Sequence, residues 1–556
     1  MADPLTCLHA ARRRGGTRAL RILVALCAIV CLLPARALAS GTEQSILMDD
    51  DQLIYAAPSH TAQVLAQIAS LGIDRIKVSV VWSLVAPNAN SVKRPAFDAT
   101  DSRAYPPGAW DRYDLIVRLA RQLGVRVYFQ LTAPAPAWAV ARAKPTQGYP
   151  WSQRPNPQQF GQFAQAVGQR YSGSFVTTVP STEPTPPVLG LPLAMPPSQA
   201  PVPGAPDPLP RVDYWGIWNE PNEGAWLNPQ YRSGGHGAHI AVAPALYRGL
   251  VDSAFAGLSA SGHAADTILI GETASGGTML PTPFVRDLYC VSSTDLPLRG
   301  NAASQISCPR SGSAASFVSA HPGLFRSAGY AHHPYSFDQS PAKPMPTPGL
   351  VTLATLPGFE RTFDRIFAAY GRPRGFPMYL TEFGYKSDPP NPYVHTSLGQ
   401  QETFLNEGEY LAWRDPRVHA LAQFLLVDDK PKAGTKRGSR AYWGTFQSGL
   451  EYANGTHKPS YGAFQIPIWL PSARPGQRVT VWGQLRPAAH AAPQYAVLQY
   501  ARGASRTWSA LREIETANSQ GFLVAHVGIP ARGKVRLAWL NPASGVIDYS
   551  RTVSIG

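Results

Sequence analysis

Residues 76–82 read Ile-Lys-Val-Ser-Val-Val-Trp, and residues 125–131 read Val-Arg-Val-Tyr-Phe-Gln-Leu. Between them Tyr113, Ile116, Val117 and Ala120 recur at the i, i+3, i+4, i+7 spacing of a helix face, and Gly124 ends that pattern. A β-rich run, an amphipathic helix and a second β-rich run make one βαβ unit, and the unit repeats. Ile46–Met48 precedes it, Phe160, Phe163, Val167 and Tyr171 mark the next helix, and Tyr214–Trp218, Ile268–Ile270, Gly329–Ala331, Met378–Leu380 and Ala420–Val427 are further β-rich runs. Helical stretches such as Tyr247–Leu258 and Phe359–Tyr370 separate them. Eight strands alternating with helices predict an α/β chain closed into a (β/α)8 TIM barrel rather than an open sheet.

The barrel reading covers residues 40–464. Residues 180–210 hold twelve prolines, so they are expected as an extended insertion. It falls between a helix and the next strand, on the side of the barrel away from the βα loops, and no catalytic role is assigned to it. After residue 465 the texture changes. Val479–Trp482, Tyr495–Tyr500, Phe522–Val527 and Val535–Leu540 are short alternating runs broken by Gly and Pro, which predicts a small antiparallel β-sandwich over 465–556. Its Trp482, Trp508 and Trp539 read equally as core or as sugar contacts.

Composition narrows the class. The chain has 556 residues, 44% hydrophobic and 15% charged, which excludes a wholly disordered or coiled-coil protein. Arg12, Arg13, Arg14, Arg18 and Arg21 precede an apolar run from Ile22 to Leu33, and Ala37-Leu38-Ala39 follows. We read residues 1–39 as a secretory signal, with secretion as the expected destination and no stable membrane insertion. Its removal takes away six arginines and Asp3, five net charges, leaving +10 of the chain's +15. No aromatic-spaced basic motif accompanies that charge, so nucleic acid is not an expected partner. Cys290 and Cys308 then remain, and two nearby cysteines in an exported chain are expected to form a disulfide.

Two stretches carry chemistry. Tyr214-Trp215-Gly216-Ile217-Trp218-Asn219-Glu220-Pro221 is an apolar strand ending in an Asn-Glu pair, and Met378-Tyr379-Leu380-Thr381-Glu382-Phe383-Gly384 repeats the logic with one carboxylate. As strands four and seven of a barrel, they point both glutamates into one mouth. Two carboxylates in an aromatic cleft suffice to cleave a glycosidic bond: one protonates the leaving oxygen while the other attacks. His332 and His333 are adjacent, so in extended chain only one can face that mouth. This argues against a metal site, and no cofactor is expected. Glu272 ends another strand, and sugar contact and a salt-bridged structural role stay equally open. Asp428 and Asp429 are read as barrel-mouth hydrogen-bonding groups.

Asn219-Glu220-Pro221 and Thr381-Glu382-Phe383-Gly384 resemble the acid/base and nucleophile motifs of the large retaining clan of TIM-barrel glycoside hydrolases, family 39 first and family 5 second, over about residues 45–465. Trp82, Pro136-Ala137-Trp138, His332-His333-Pro334-Tyr335, Gly449-Leu450 and Lys458-Pro459-Ser460-Tyr461 follow in matching order. The resemblance implies Glu220 as acid/base and Glu382 as nucleophile. It implies Asn219, His333 and Tyr335 as sugar- or nucleophile-binding residues, and Trp138 and Trp443 as stacking faces. Many relatives carry Arg on strand two, where this chain has Lys77; Lys lacks the bidentate fork, and no site role is assigned to it. The expected activity is retaining hydrolysis of a polysaccharide, oligosaccharide or glycoconjugate. The alternatives are transglycosylation on the same site and a non-catalytic carbohydrate-binding barrel. Neither the sugar nor the oligomeric state is read from the sequence.

Overall fold

The computed structural model describes residues 40–141, 150–177, 207–488 and 492–556. The signal reading for 1–39 and nearly all of the proline-rich insertion lie outside the described residues. Eight parallel strands close a barrel: β1 Gln44–Met48, β2 Arg75–Val81, β3 Arg126–Thr132, β4 Tyr214–Ile217, β5 Thr267–Ala274, β6 Gly329–His333, β7 Met378–Phe383 and β8 Val418–Phe424. They pair in chain order, and β1 closes on β8 from Gln44 opposite Ala420 to Met48 opposite Phe424. All eight runs expected before residue 465 are barrel strands.

Hydrophobicity on both faces explains the long apolar runs. All seven residues of β2 are buried, because the sheet's outer face packs on helices and its inner face on the barrel core. Helices Asp111–Gln122, Pro157–Arg170, Ala243–Ala260, Leu356–Ala369 and Leu398–Arg414 supply the outer layer. Their ends follow local chemistry: Asn156 caps the helix opened by Pro157, and Ser397 with Gln400 forms a capping box. Inside, Tyr128 and Tyr379 fill the barrel among Ile46, Leu269, Ala331, Ala420 and Ala422. Large rings opposite alanines let the inner layers interdigitate.

Beyond the barrel, β9 Ile468–Trp469, β10 Arg478–Gln484, β11 Gln494–Arg502, β12 Ser509–Thr516, β13 Phe522–Gly528, β14 Gly533–Leu540, β15 Ile547–Tyr549 and β16 Val553–Ile555 follow. They form two antiparallel sheets, β9-β10-β13 and β12-β11-β14-β15 with β16 beside β14. One core of Val481, Leu498, Leu523, Val535, Leu537, Trp539 and neighbours lies between them, so this part is a sandwich. Strand β12 is absent from the sequence reading because only Ile514 and Thr516 of its eight residues are buried; an edge strand with charged positions lacks a clear alternation. Trp482 and Trp539 are core residues, 0% and 1% exposed. The disulfide Cys290–Cys308 is present.

Candidate functional site

Strand β4 delivers its motif through two unusual backbone positions. Trp218 (φ 68°) and Glu220 (φ 37°) both lie in the left-handed region, so the chain turns sharply as it leaves the sheet. Three contacts hold the turn: Trp218 N donates to Leu131 O (2.8 Å), Gln130 Nε2 to Trp218 O (2.9 Å), and Glu220 N to Glu272 O (2.9 Å). Gln130 Nε2 also donates to Asn219 Oδ1 (2.9 Å). Asn222 then ties this loop to the one after β5, donating to the carbonyls of Ala274, Gly276 and Met279 and accepting from Ala274 N.

Glu382 reaches the same mouth from the end of β7. Carboxylate oxygens of Glu220 and Glu382 and a ring nitrogen of His333 all lie within 4.8 Å of one another. Tyr335 donates to Glu382 Oε2 (3.1 Å). His333, from the end of β6, hydrogen-bonds Glu220 Oε1 through Nδ1 (3.0 Å) and Glu272 Oε2 through Nε2 (2.8 Å), with Glu382 Oε1 3.5 Å from Nε2. Glu220, Asn219, Tyr335 and Glu382 border a cavity of about 760 Å³ together with Asp50, Asp51, Trp226, Phe337, Tyr393, Phe424, Asp429 and Phe446.

Beneath the pair sits a charge network that the sequence reading missed. Lys77 Nζ, wholly buried, donates to Glu272 Oε2 (2.9 Å) and Glu382 Oε1 (3.2 Å). Glu272, 0% exposed, also accepts from Thr381 Oγ1 (2.7 Å) and from Tyr128 Oη. Burial alone would raise the Glu272 carboxyl, but Lys77 first, then His333 and Tyr128, bring it down to about 2. Burial likewise opposes charge on His333, yet Glu382 and the bonds to Glu220 and Glu272 outweigh both burial and Lys77 and lift its pKa to about 9. Lys77 is raised too, its two carboxylates overcoming desolvation. Two buried cations therefore face Glu272 and Glu382. Protonated, His333 can donate from both ring nitrogens, to Glu220 and to Glu272. His332 turns the other way, to Thr273 and Val351 O, and burial drives its pKa down to about 3.

Several expectations change. Glu272 does not border the cavity; it is the salt-bridged support, because the β-bulge between Gly271 and Thr273 in β5 turns it into the sheet interior. Lys77, assigned no role, is at the centre. Trp138 offers no free face: its indole N–H donates to Pro87 O (3.0 Å), and its ring packs edge-on against Trp82 (5.9 Å) and Phe97 (6.0 Å). Trp443 lies on the loop after β8, edge-on to Tyr442, and is not among the cavity's lining. The aromatic walls are instead Trp226, Phe337, Phe424 and Phe446, with Phe337 54% and Phe446 42% exposed. The signal available for Phe337 was its place two residues after Pro334-Tyr335, past the end of a strand. Asp428 accepts from Gly449 N and Lys458 Nζ as a mouth-bracing group.

No protein-family model matches the chain, and neither does any curated protein. Solved structures similar to it include Bacteroides uniformis beta-glucuronidase 2, at TM-score 0.40 and 11% identity over 92% of this chain and 46% of that one. A monomeric beta-xylosidase from Caulobacter crescentus gives TM-score 0.45 and 15% identity over 89% and 96%. A glucosidase from Croceicoccus marinus gives 0.45 and 11% over 92% and 98%. The chain thus spans less than half the length of the glucuronidase that it resembles.

Proposed function

We propose that the protein is an exported, retaining glycoside hydrolase. The observation that carries this reading is the approach of Glu220 and Glu382, with carboxylate oxygens within 4.8 Å at the mouth of a cavity of about 760 Å³. Carboxyl groups roughly 5–5.5 Å apart serve a double displacement, whereas inversion needs about 6.5–9.5 Å to admit a water.

Glu382, oriented by Tyr335 and Lys77, attacks the anomeric carbon, while Glu220 protonates the departing oxygen. The sugar is then bound covalently to Glu382, and Glu220 takes a proton from the water that releases it. Asn219 lies on the cleft wall beside Glu220, placed to bind a hydroxyl next to the reacting carbon. Lys77 Nζ and His333 Nε2, 3.2 and 3.5 Å from Glu382 Oε1, place positive charge beside the attacking carboxylate. Export is supported by the disulfide, and no helix among the described residues is long and apolar enough to cross a membrane.

The test is turnover of a panel of aryl glycosides and polysaccharides by purified protein. Glu382→Ala should lower turnover of the best substrate by about 10⁴-fold or more, with partial rescue by azide giving a glycosyl azide of configuration opposite to the substrate. Glu220→Ala should spare the first step for leaving groups that need no protonation and slow it for poor ones. Equal loss on all substrates in the second variant removes Glu220 from the acid role.

A further inference from the structure

The cleft and its rim carry opposite charge. Besides the two catalytic glutamates, Asp50, Asp51, Asp338 and Asp429 line the cavity, against the single cation Lys386. The loop after β8 leaves this lining at Asp429 and returns to it at Phe446. Its ends are pinned together: Asp429 N donates to Phe446 O (2.9 Å) and Phe446 N to Asp429 Oδ2 (2.8 Å). Between them, residues 430–445 contain Lys430, Lys432, Lys436, Arg437 and Arg440 and no Asp or Glu. All five cations are exposed. Lys430, Lys432, Lys436 and Arg437 have no ion-pair partner among the described residues. Arg440 lies over the Tyr393 ring at 4.9 Å, and Tyr393 Oη donates to Gly438 O (2.8 Å). Because Tyr393 itself lines the cleft, these contacts hang the basic loop on the cavity's edge.

Five exposed cations within eleven residues, four of them without an ion-pair partner among the described residues, make a basic surface to which an anion is drawn. An anionic sugar in the cleft would meet the carboxylates. An anionic group one or more sugars further along would meet the loop. We propose that the substrate is a polyanionic glycan, entered with an uncharged sugar in the cleft and with its carboxylate or phosphate groups on loop 430–445. A nucleic acid suits the site less well, because its closely spaced phosphates would run from the loop across the acidic cleft. The proposal rests on the glycosidase reading only for the fate of the bound sugar; the polyanion contact stands apart from turnover.

The experiment measures binding of the full chain to hyaluronate, whose carboxylate-bearing and uncharged sugars alternate, a phosphomannan with uncharged sugars between its phosphodiesters, dextran and duplex DNA, at ~50 and ~300 mM salt. Carboxylate and phosphate sources are separated by the first two. A triple charge reversal, Lys432→Glu with Lys436→Glu and Arg437→Glu, is compared with Arg502→Glu, Arg506→Glu and Arg532→Glu, exposed cations of the sandwich. One of the two anionic glycans should bind about tenfold or more tighter than dextran and weaken with salt; the loop variant should lose about tenfold, the sandwich variant less than about twofold. Dextran binding equally, DNA binding more tightly than either glycan, or equal loss in both variants overturns the proposal. Loop-dependent glycan binding without hydrolysis of any glycoside would sink the glycosidase reading and leave the polyanion contact in place.

Discussion

Glu272 marks how much one buried side chain decides. It accepts hydrogen bonds from Lys77, His333, Thr381 and Tyr128, and so favours the charged form of the two cations that lie against Glu382. Glu272→Gln keeps the shape and removes the charge. His333, now protonated up to about pH 9, would hold its proton less firmly, facing only Glu220 and Glu382 against Lys77. The sign follows: removing an anion favours the neutral imidazole, so the alkaline limb of kcat/KM should move to lower pH, by about one unit or more. We expect kcat at pH 7 to fall by about 10²-fold, with Glu272→Asp restoring part of the profile. A lower rate with an unmoved limb would make Glu272 a packing residue only. Removing the cation instead, Lys77→Met, leaves Glu272 and Glu382 buried with one fewer partner and should cost about 3–5 kcal/mol in a denaturant titration.

At the scale of elements, the site depends on irregularities in two neighbouring strands. The bulge in β5 gives Gly271 a φ of 106° and Glu272 a φ of 50°, and it brings the Glu272 carbonyl to Glu220 N while its side chain turns inward. A β-bulge that re-aims a side chain beside a reactive centre is a recurrent device. In β4, Gly216 is the complement: a Cβ there would lie 2.4 Å from Tyr128 Oη and 3.0 Å from Glu272 Oε1. Gly216→Ala should therefore swing Tyr128 off Glu272 and lower kcat about 10–100-fold. Combined with Glu272→Gln the losses should fall short of additive, because both act on one network. Full additivity in that double-mutant cycle would separate the glycine from the site.

For the whole molecule, barrel and sandwich share a buried seam. Trp482 and Phe522 pack on Tyr410 and Trp413, while Arg486 pairs with Glu409 and donates to Phe464 O (2.9 Å). Burial first, despite Arg486, lifts Glu409 to about 7, and Glu43 beside it is raised well above the carboxylate range. A carboxyl raised in the folded state contributes stability that is complete below its unfolded pKa of about 4.3 and is lost as pH climbs through about 7. Thermal unfolding midpoints should accordingly fall between those values, and Arg486→Met should steepen the fall, costing about 3–5 kcal/mol at pH 7 and less below pH 4.5. A flat profile in the variant would show that these carboxyls do not titrate on unfolding. Reducing Cys290–Cys308, which encloses a separation of 18 residues, should cost about 3 kcal/mol while leaving kcat nearly unchanged.

What the sequence determined alone is whatever local periodicity encodes. Eight apolar runs alternating with helix faces became the eight barrel strands, and a carboxylate at the end of two runs was enough to place Glu220 and Glu382 at one mouth, because parallel strands in a barrel all end on the same side. The tertiary structure decided the rest. Lys77 looks from its neighbours like one polar residue within an apolar strand, and only closure of the barrel brings β2, β5, β6 and β7 close enough for Lys77, Glu272, His333 and Glu382 to meet. The aromatic walls were equally hidden. Whether an indole or phenyl ring faces a cleft or a core is set by which helix and loop pack against it, and that put Trp138 inside and Phe337 and Phe446 outside. Pairing across hundreds of residues leaves no period in the chain, and a charge network made that way becomes visible only when the strands meet.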